Sequence, residues 1–156
     1  MKILKALAVI VVVAVVIVIW AAPIGPLPGI FIGGSHASVP ASWGDTRSIH
    51  EIKLEVGEGI IRRVVIIWVV QVDGDLYVVG SRESGWTNAV GSGGPARLRM
   101  NDKTYDMQAT AVIEGIEPIL EAYLDKYRAD YPEIIGEFPP MEEAKETVAI
   151  FHLTAA

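Results

Sequence analysis

The sequence predicts a mainly antiparallel β domain. About six strands close, or nearly close, a small barrel that carries one substantial helix and is preceded by a single membrane-spanning helix. Three stretches lead to this reading. Residues 60–88, IIRRVVIIWVVQVDGDLYVVGSRESGWTN, hold two β-branched runs around Asp73-Gly74, residues that tolerate the positive φ of a hairpin turn. Residues 97–112, RLRMNDKTYDMQATAV, repeat the pattern around Asn101-Asp102. Ile116, Ile119, Leu120, Tyr123, Leu124 and Tyr127 form one apolar stripe at helical spacing. Closing the sheet on itself removes the exposed strand edges that would otherwise invite aggregation.

The chain has 156 residues, no cysteine and a net charge of −6. Disulfides, zinc–thiolate sites and cysteine nucleophiles are therefore excluded. No cluster of Lys and Arg is present to follow a phosphate backbone, so nucleic acid is not an expected partner. Three segments are expected: an anchor at residues 1–22, a linker at 23–44 and the barrel domain at 45–156.

Residues 6–22 read ALAVIVVVAVVIVIWAA, behind Lys2 and Lys5. A helix over residues 3–22 spans roughly 30 Å, enough for a hydrocarbon core. Trp20 falls where an interfacial aromatic belongs. A cleaved signal peptide is the alternative. The apolar run is longer than a usual signal core, and Pro23 would follow the cut, so an uncleaved anchor is the expectation. Both lysines precede the span, which puts the N-terminus in the cytoplasm and the domain across the membrane. Residues 23–44 contain four prolines and no charge. They read as an apolar linker without long elements, and His36 within it as an ordinary loop residue.

The domain then follows in order. In residues 48–56, Ile52, Leu54 and Val56 alternate with Glu51, Lys53 and Glu55, the mark of a half-buried strand. Residues 57–59 turn the chain. The strand 60–72 has an unbroken apolar run that implies burial on both faces, and residues 76–81 return antiparallel. Residues 85–94, GWTNAVGSGG, give one helical turn and a flexible loop. Strands at 95–101 and 103–113 form the second hairpin. The helix 116–130 accepts Pro118 in its first turn and is stopped by Pro132 and Gly136. A short acidic turn or helix at 141–146 precedes a last strand at 147–153.

The order of motifs resembles the split β-barrel superfamily that binds flavin or deazaflavin nucleotides, the pyridoxamine-phosphate-oxidase-like fold. It is most similar to a small bacterial branch of it. The resemblance rests on Arg63, Trp68, Asp73-Gly74, Tyr77-Val78, Ser81-Arg82, and Trp86 with Asn88, and extends from Trp43 to the C-terminal strand. It implies a homodimer with an FMN or deazaflavin nucleotide between the barrels. It implies Arg63, Ser81 and Arg82 as phosphate ligands, and Trp68, Trp86 and Asn88 as walls of the ring site. Guanidinium groups offer paired donors to phosphate, and an indole can stack on a flat ring. With the anchor, this predicts a single-pass protein of the bacterial cytoplasmic membrane whose domain lies on the outer side.

Each of these residues also has a structural alternative. Arg62 and Arg63 point to opposite faces of one strand, so at most one can face a site. Arg82 can be a surface ion pair, Trp68 a core residue, Trp86 a plug in the barrel end and Asn88 a turn cap. His50 and His152 lack the spacing of a metal pair, and no metal site is expected. No general acid, base or nucleophile stands out, so any redox chemistry would belong to a bound cofactor. Two functions remain open: a flavin- or deazaflavin-dependent oxidoreductase, and a non-enzymatic membrane-tethered barrel that binds a lipid, small molecule or protein.

Overall fold

The sequence builds its barrel from strands that each bury one row of side chains. The structure, a computed structural model, describes residues 10–13, 28–57 and 62–156. Its strands are β1 (Ser35–His36), β2 (Glu51–Val56), β3 (Arg63–Val72), β4 (Asp75–Ser81), β5 (Gly93–Met100), β6 (Lys103–Val112) and β7 (Val148–Ala155). Its helices are α1 (Gly85–Val90), α2 (Glu117–Arg128), α3 (Pro132–Gly136) and α4 (Met141–Thr147). Sheet order is β1-β6-β5-β2-β3-β4-β7, and β7 also pairs with β6. That last ladder closes six antiparallel strands into a barrel. The residues expected to span a membrane, 3–22, lie outside the described residues except for 10–13, which are helical. No helix among the described residues is long and apolar enough to cross a membrane.

Both hairpins turn where the sequence places them. Asp73 and Gly74 have φ of 52° and 95°, and Asn101 has φ of 55°. Ile52, Leu54, Val65, Val69, Leu76, Val78, Leu98, Met107 and Phe151 fill the interior. The opposite faces of β3, β4 and β7 carry Val70, Val79, Val148 and Ile150, which α2 covers with Ile119, Leu120, Tyr123 and Tyr127. The apolar run of β3 thus faces two cores, as its two-sided burial required.

The helix also repairs the sheet. The β2–β3 ladder ends at the pair Glu51 and Trp68, which leaves the next backbone groups of β3 without a strand partner on the β2 side. The Tyr127 hydroxyl accepts the Val69 N–H at 3.0 Å and lies 2.7 Å from the His50 carbonyl. Lys126 Nζ donates to the carbonyls of Val69, Ile49 and Thr46 at 2.7, 2.8 and 3.1 Å. Burial lowers the Lys126 pKa to about 8, against a smaller opposing pull from Asp45.

Three features depart from the sequence expectation. Gly93 and Gly94, expected in a loop, open β5 and pair with Thr110 and Ala109. Gly93 has φ of 151°, and a side chain there would meet the Ala109 carbonyl at 2.8 Å. Glycine is thus the residue that lets the two strands meet, rather than a source of looseness. The stop after α2 is itself helical, as α3. And part of the expected linker is a strap, residues 29–36, that lies on the barrel. Gly29 exchanges two backbone hydrogen bonds with Val64, each 2.8 Å, and β1 runs parallel to the start of β6. Between them, Arg99 donates to the Ile32 carbonyl at 3.0 Å and Thr104 to the Gly33 carbonyl at 2.6 Å.

Beside the strap, Glu55 is only 3% exposed on the outer face of β2. Arg97 clamps it with two hydrogen bonds, one of 2.8 Å, and Arg62 adds a third at 3.0 Å. Burial pushes its pKa up, but the hydrogen bonds and charges of Arg97 and Arg62 outweigh burial and hold it below the usual 4.5. The folded state therefore binds fewer protons than the unfolded chain in this range. The stabilisation is complete above about pH 4.5 and disappears as pH falls through the lowered pKa. Urea unfolding of the domain at pH 3 to 6 is expected to lose part of this slope in Glu55→Gln. An unchanged pH profile in that variant would show that the cluster does not contribute.

Candidate binding cleft

The ladder between β3 and β4 is short, running from Val69–Val78 to Val72–Asp75. Beyond it β4 leaves β3 and follows β7 down to Ser81–Val148. The barrel is split there, and α1 fills the gap. Ser84 caps this helix, its hydroxyl accepting the Thr87 N–H at 3.4 Å. Thr87 is 4% exposed and donates from its hydroxyl to the Ser81 carbonyl at 2.8 Å. The loop 81–84 is thereby fixed around one buried threonine.

Trp86, on the inner side of α1, is 8% exposed and closes the end of the barrel. Its ring centre lies 5.5 Å from that of Phe151. A methyl group at Gly80 would collide with the Trp86 ring, so the absence of a side chain on β4 makes room for the indole. Trp68 faces the other way. It stacks on Tyr127 outside the barrel, with ring centres 4.2 Å apart and planes at 14°.

Arg63 and Arg62 diverge as alternation requires. Arg62 turns outward to Glu55, whereas the Arg63 guanidinium lies against Gly85 at the start of α1. Four of the seven arginines pair with carboxylates: Arg62, Arg97, Arg99 and Arg128. Arg63 and Arg82 have no carboxylate within 4 Å among the described residues.

Arg82 borders two clefts of about 250 and 290 Å³ that share Val112, Ile113 and Ile150. The first is completed by Thr87, Asn88, Ala149 and Phe151, the second by Glu117, Lys145 and Val148. Arg82 anchors its backbone N–H to the Thr147 carbonyl at 2.9 Å and extends Nη2 to the Lys145 carbonyl at 3.3 Å. Its other guanidinium donors make no hydrogen bond among the described residues. Asn88 is exposed and makes no side-chain hydrogen bond among the described residues. Lys145 is held by Glu117 and Glu142 at 2.9 and 3.1 Å; its hydrogen bonds to these carboxylates raise its pKa.

The structure thus brings Arg82 and Asn88 to one place. Ser81 adjoins them, but its hydroxyl accepts the Glu83 N–H at 3.2 Å. Arg63, Trp68 and Trp86 line neither cleft. Lys145, Thr87 and Ile113 were not singled out from the sequence. Thr87 sits inside the quoted motif and could have been found as its only buried hydroxyl. Lys145 reaches the cleft only through tertiary packing.

Residues 45–150 match the family model described as an uncharacterized protein conserved in bacteria, DUF2255. The chain belongs to this family. No curated protein matches it. Among solved structures, the FAD and heme binding protein from Mycobacterium smegmatis is similar, with a TM-score of 0.50 and 15% identity over 70% of this chain and 62% of that one. This chain therefore spans less than two thirds of that protein's length. The heme storage protein HutZ from Vibrio cholerae has a TM-score of 0.49 and 14% identity, over 70% of this chain and 84% of that chain. A NimC/NimA family protein from Clostridium acetobutylicum has a TM-score of 0.45 and 17% identity, over 67% and 71% of the two chains. The DUF2255 chain thus shares its split-barrel fold with the FAD and heme binding protein.

Proposed function

We propose that this DUF2255 protein binds a flavin-type nucleotide, FMN or a deazaflavin, in the clefts beside Arg82. The observation that carries the reading is a guanidinium with no carboxylate within 4 Å among the described residues, at the edge of an apolar floor made by Val112, Ala149, Ile150 and Phe151. A phosphate calls for such a donor set, and a flat ring calls for such a floor. The FAD and heme binding protein of the same fold supports a flavin as the ligand class. Heme is a poorer fit, because none of the three histidines lines either cleft.

In this reading Arg82 holds phosphate, with Arg63 and Ser81 as further candidates. Asn88 contacts the ring edge, and Trp86 stiffens the wall from behind. The bound flavin would supply hydride or electron transfer, while the chain binds and orients it. Ile113, 85% exposed at the rim, offers an apolar wall to a second copy, in keeping with a homodimer that shares the ligand. Residues 3–22 would tether this assembly to the bacterial membrane with the domain on the outer side. A non-enzymatic barrel holding another small ligand is the alternative, and the binding experiment discriminates between them.

Purified full-length protein is titrated with FMN, FAD and a deazaflavin nucleotide, followed by tryptophan fluorescence. Saturable quenching is expected, and Arg82→Ala is expected to weaken it about 10- to 100-fold, the worth of a hydrogen bond to a charged group. Affinity unchanged by Arg82→Ala would remove the phosphate role. Absence of binding by all three nucleotides would favour the alternative.

A further inference from the structure

The strap presents its apolar side chains unequally. Ile32 is 3% exposed and pins the strap to the barrel, while Ile30 and Phe31 are 61% and 65% exposed. The strap is held down firmly, by the Gly29–Val64 backbone pair, by Arg99 beneath Ile32 and by β1 against β6. Gly33 and Gly34, with φ of 65° and 84°, let it lie flat on Arg99. A side chain at Gly33 would meet the Arg99 guanidinium at 2.7 Å. Two large apolar side chains are therefore displayed on a fixed support, where burying them against the barrel was sterically available to Ile32.

The sequence immediately before the strap says what they face. The apolar run ends at Ala22, and residues 23–28 separate it from Gly29. Fully extended, this connection reaches about 20 Å. Charge separates along the same direction. Residues 114–146, which contain α2, α3 and α4, hold ten of the nineteen acidic residues and three of the thirteen basic ones. This layer covers the outer faces of β3, β4 and β7 and carries a net charge of −7, whereas the rest of the chain beyond residue 22, with nine acidic and eight basic residues, is nearly neutral. The strap crosses from the start of β3, at Val64, to β5 and β6. An anionic lipid surface would repel the helical layer more strongly than the nearly neutral strap side.

We propose that the strap is a membrane-apposed surface: Ile30 and Phe31 insert among the lipid headgroups of the bilayer that residues 3–22 enter, seating the barrel strap-side down. The inference rests on the proposed anchor and adds an orientation to it. Seated so, the barrel turns its acidic helices away from the lipid.

The absence of cysteine allows a clean test in the full-length protein. Ile30→Cys, Phe31→Cys and Ile134→Cys are each labelled with an environment-sensitive fluorophore. Ile134 is 56% exposed on the acidic layer and serves as the reference. The proteins are reconstituted into phosphatidylethanolamine–phosphatidylglycerol vesicles, with and without a headgroup-level lipid quencher. A blue shift and loss of emission are expected at positions 30 and 31 but not at 134. Water-like emission at 30 and 31, in protein that floats with the vesicles after alkaline extraction, would overturn the seating and leave the anchor standing. Protein that fails to float would overturn both.

Discussion

Trp86→Ala is expected to destabilise the barrel by about 3–5 kcal/mol, the usual result of deleting a buried aromatic side chain. That is a large share of the roughly 5–15 kcal/mol that holds a domain together. The indole fills the end of the barrel against Phe151 and over Gly80. Gly80→Ala attacks the same contact from the other side. The added methyl would collide with the ring, an overpacking that costs about 1–3 kcal/mol. The two effects must be coupled. Once the indole is gone, the Gly80→Ala penalty is expected to shrink, because its main obstacle has been removed and only the tight contact with Thr87 Cγ2, at 3.1 Å, remains. Urea denaturation followed by circular dichroism measures all four proteins of the cycle. A Gly80→Ala penalty that persists undiminished in the Trp86→Ala background would show that the ring does not plug the barrel.

Tyr127 is the second position of large effect. Tyr127→Phe keeps the ring stacked on Trp68 and removes only the hydroxyl, leaving the Val69 N–H buried without an acceptor. About 1–3 kcal/mol is expected from that unsatisfied donor. Tyr127→Ala also empties the space beside Trp68, for about 3–5 kcal/mol. The two variants separate hydrogen bonding from packing. Amide hydrogen exchange locates the first effect: Val69 exchange should accelerate in Tyr127→Phe more than that of Val70, which pairs with Tyr77 in β4. Equal acceleration along all of β3 would mean that the hydroxyl supports global stability and not this ladder end.

The elements that local chemistry specifies were legible. Asp73-Gly74 and Asn101 adopt the positive φ that their side chains tolerate. The stripe from Ile116 to Tyr127 faces a core, and Arg62 and Arg63 part to opposite faces of their strand. Features that depend on a distant partner were hidden. Lys126 lies beside the stripe, yet its three carbonyl acceptors come from residues up to 80 positions away. Gly93 and Gly94 look like a loop until Ala109 and Thr110 are set opposite them. The strap carries no strand pattern because only two of its residues pair regularly, and its hold comes from Arg99 and Thr104. At the cleft, the Ser-Arg and Asn positions could be read as a motif. Which of the six candidate side chains share a space could not, because Trp68, Trp86 and Arg63 differ only in the face of the element they occupy.

The strap has a consequence for the order of assembly. It is made before the strands it grips, yet its partners Val64, Arg99 and Thr104 come from three of them. Its contacts close loops of up to 71 residues, so their entropy is recovered only after β3, β5 and β6 have come together. The strap is therefore a late event in folding, completed on a finished barrel. By the same reasoning it forms a separate cooperative unit that can lift off while the barrel persists. Its release would free the Val64 backbone and the Arg99 and Thr104 side chains before any strand of the barrel parts from its neighbour.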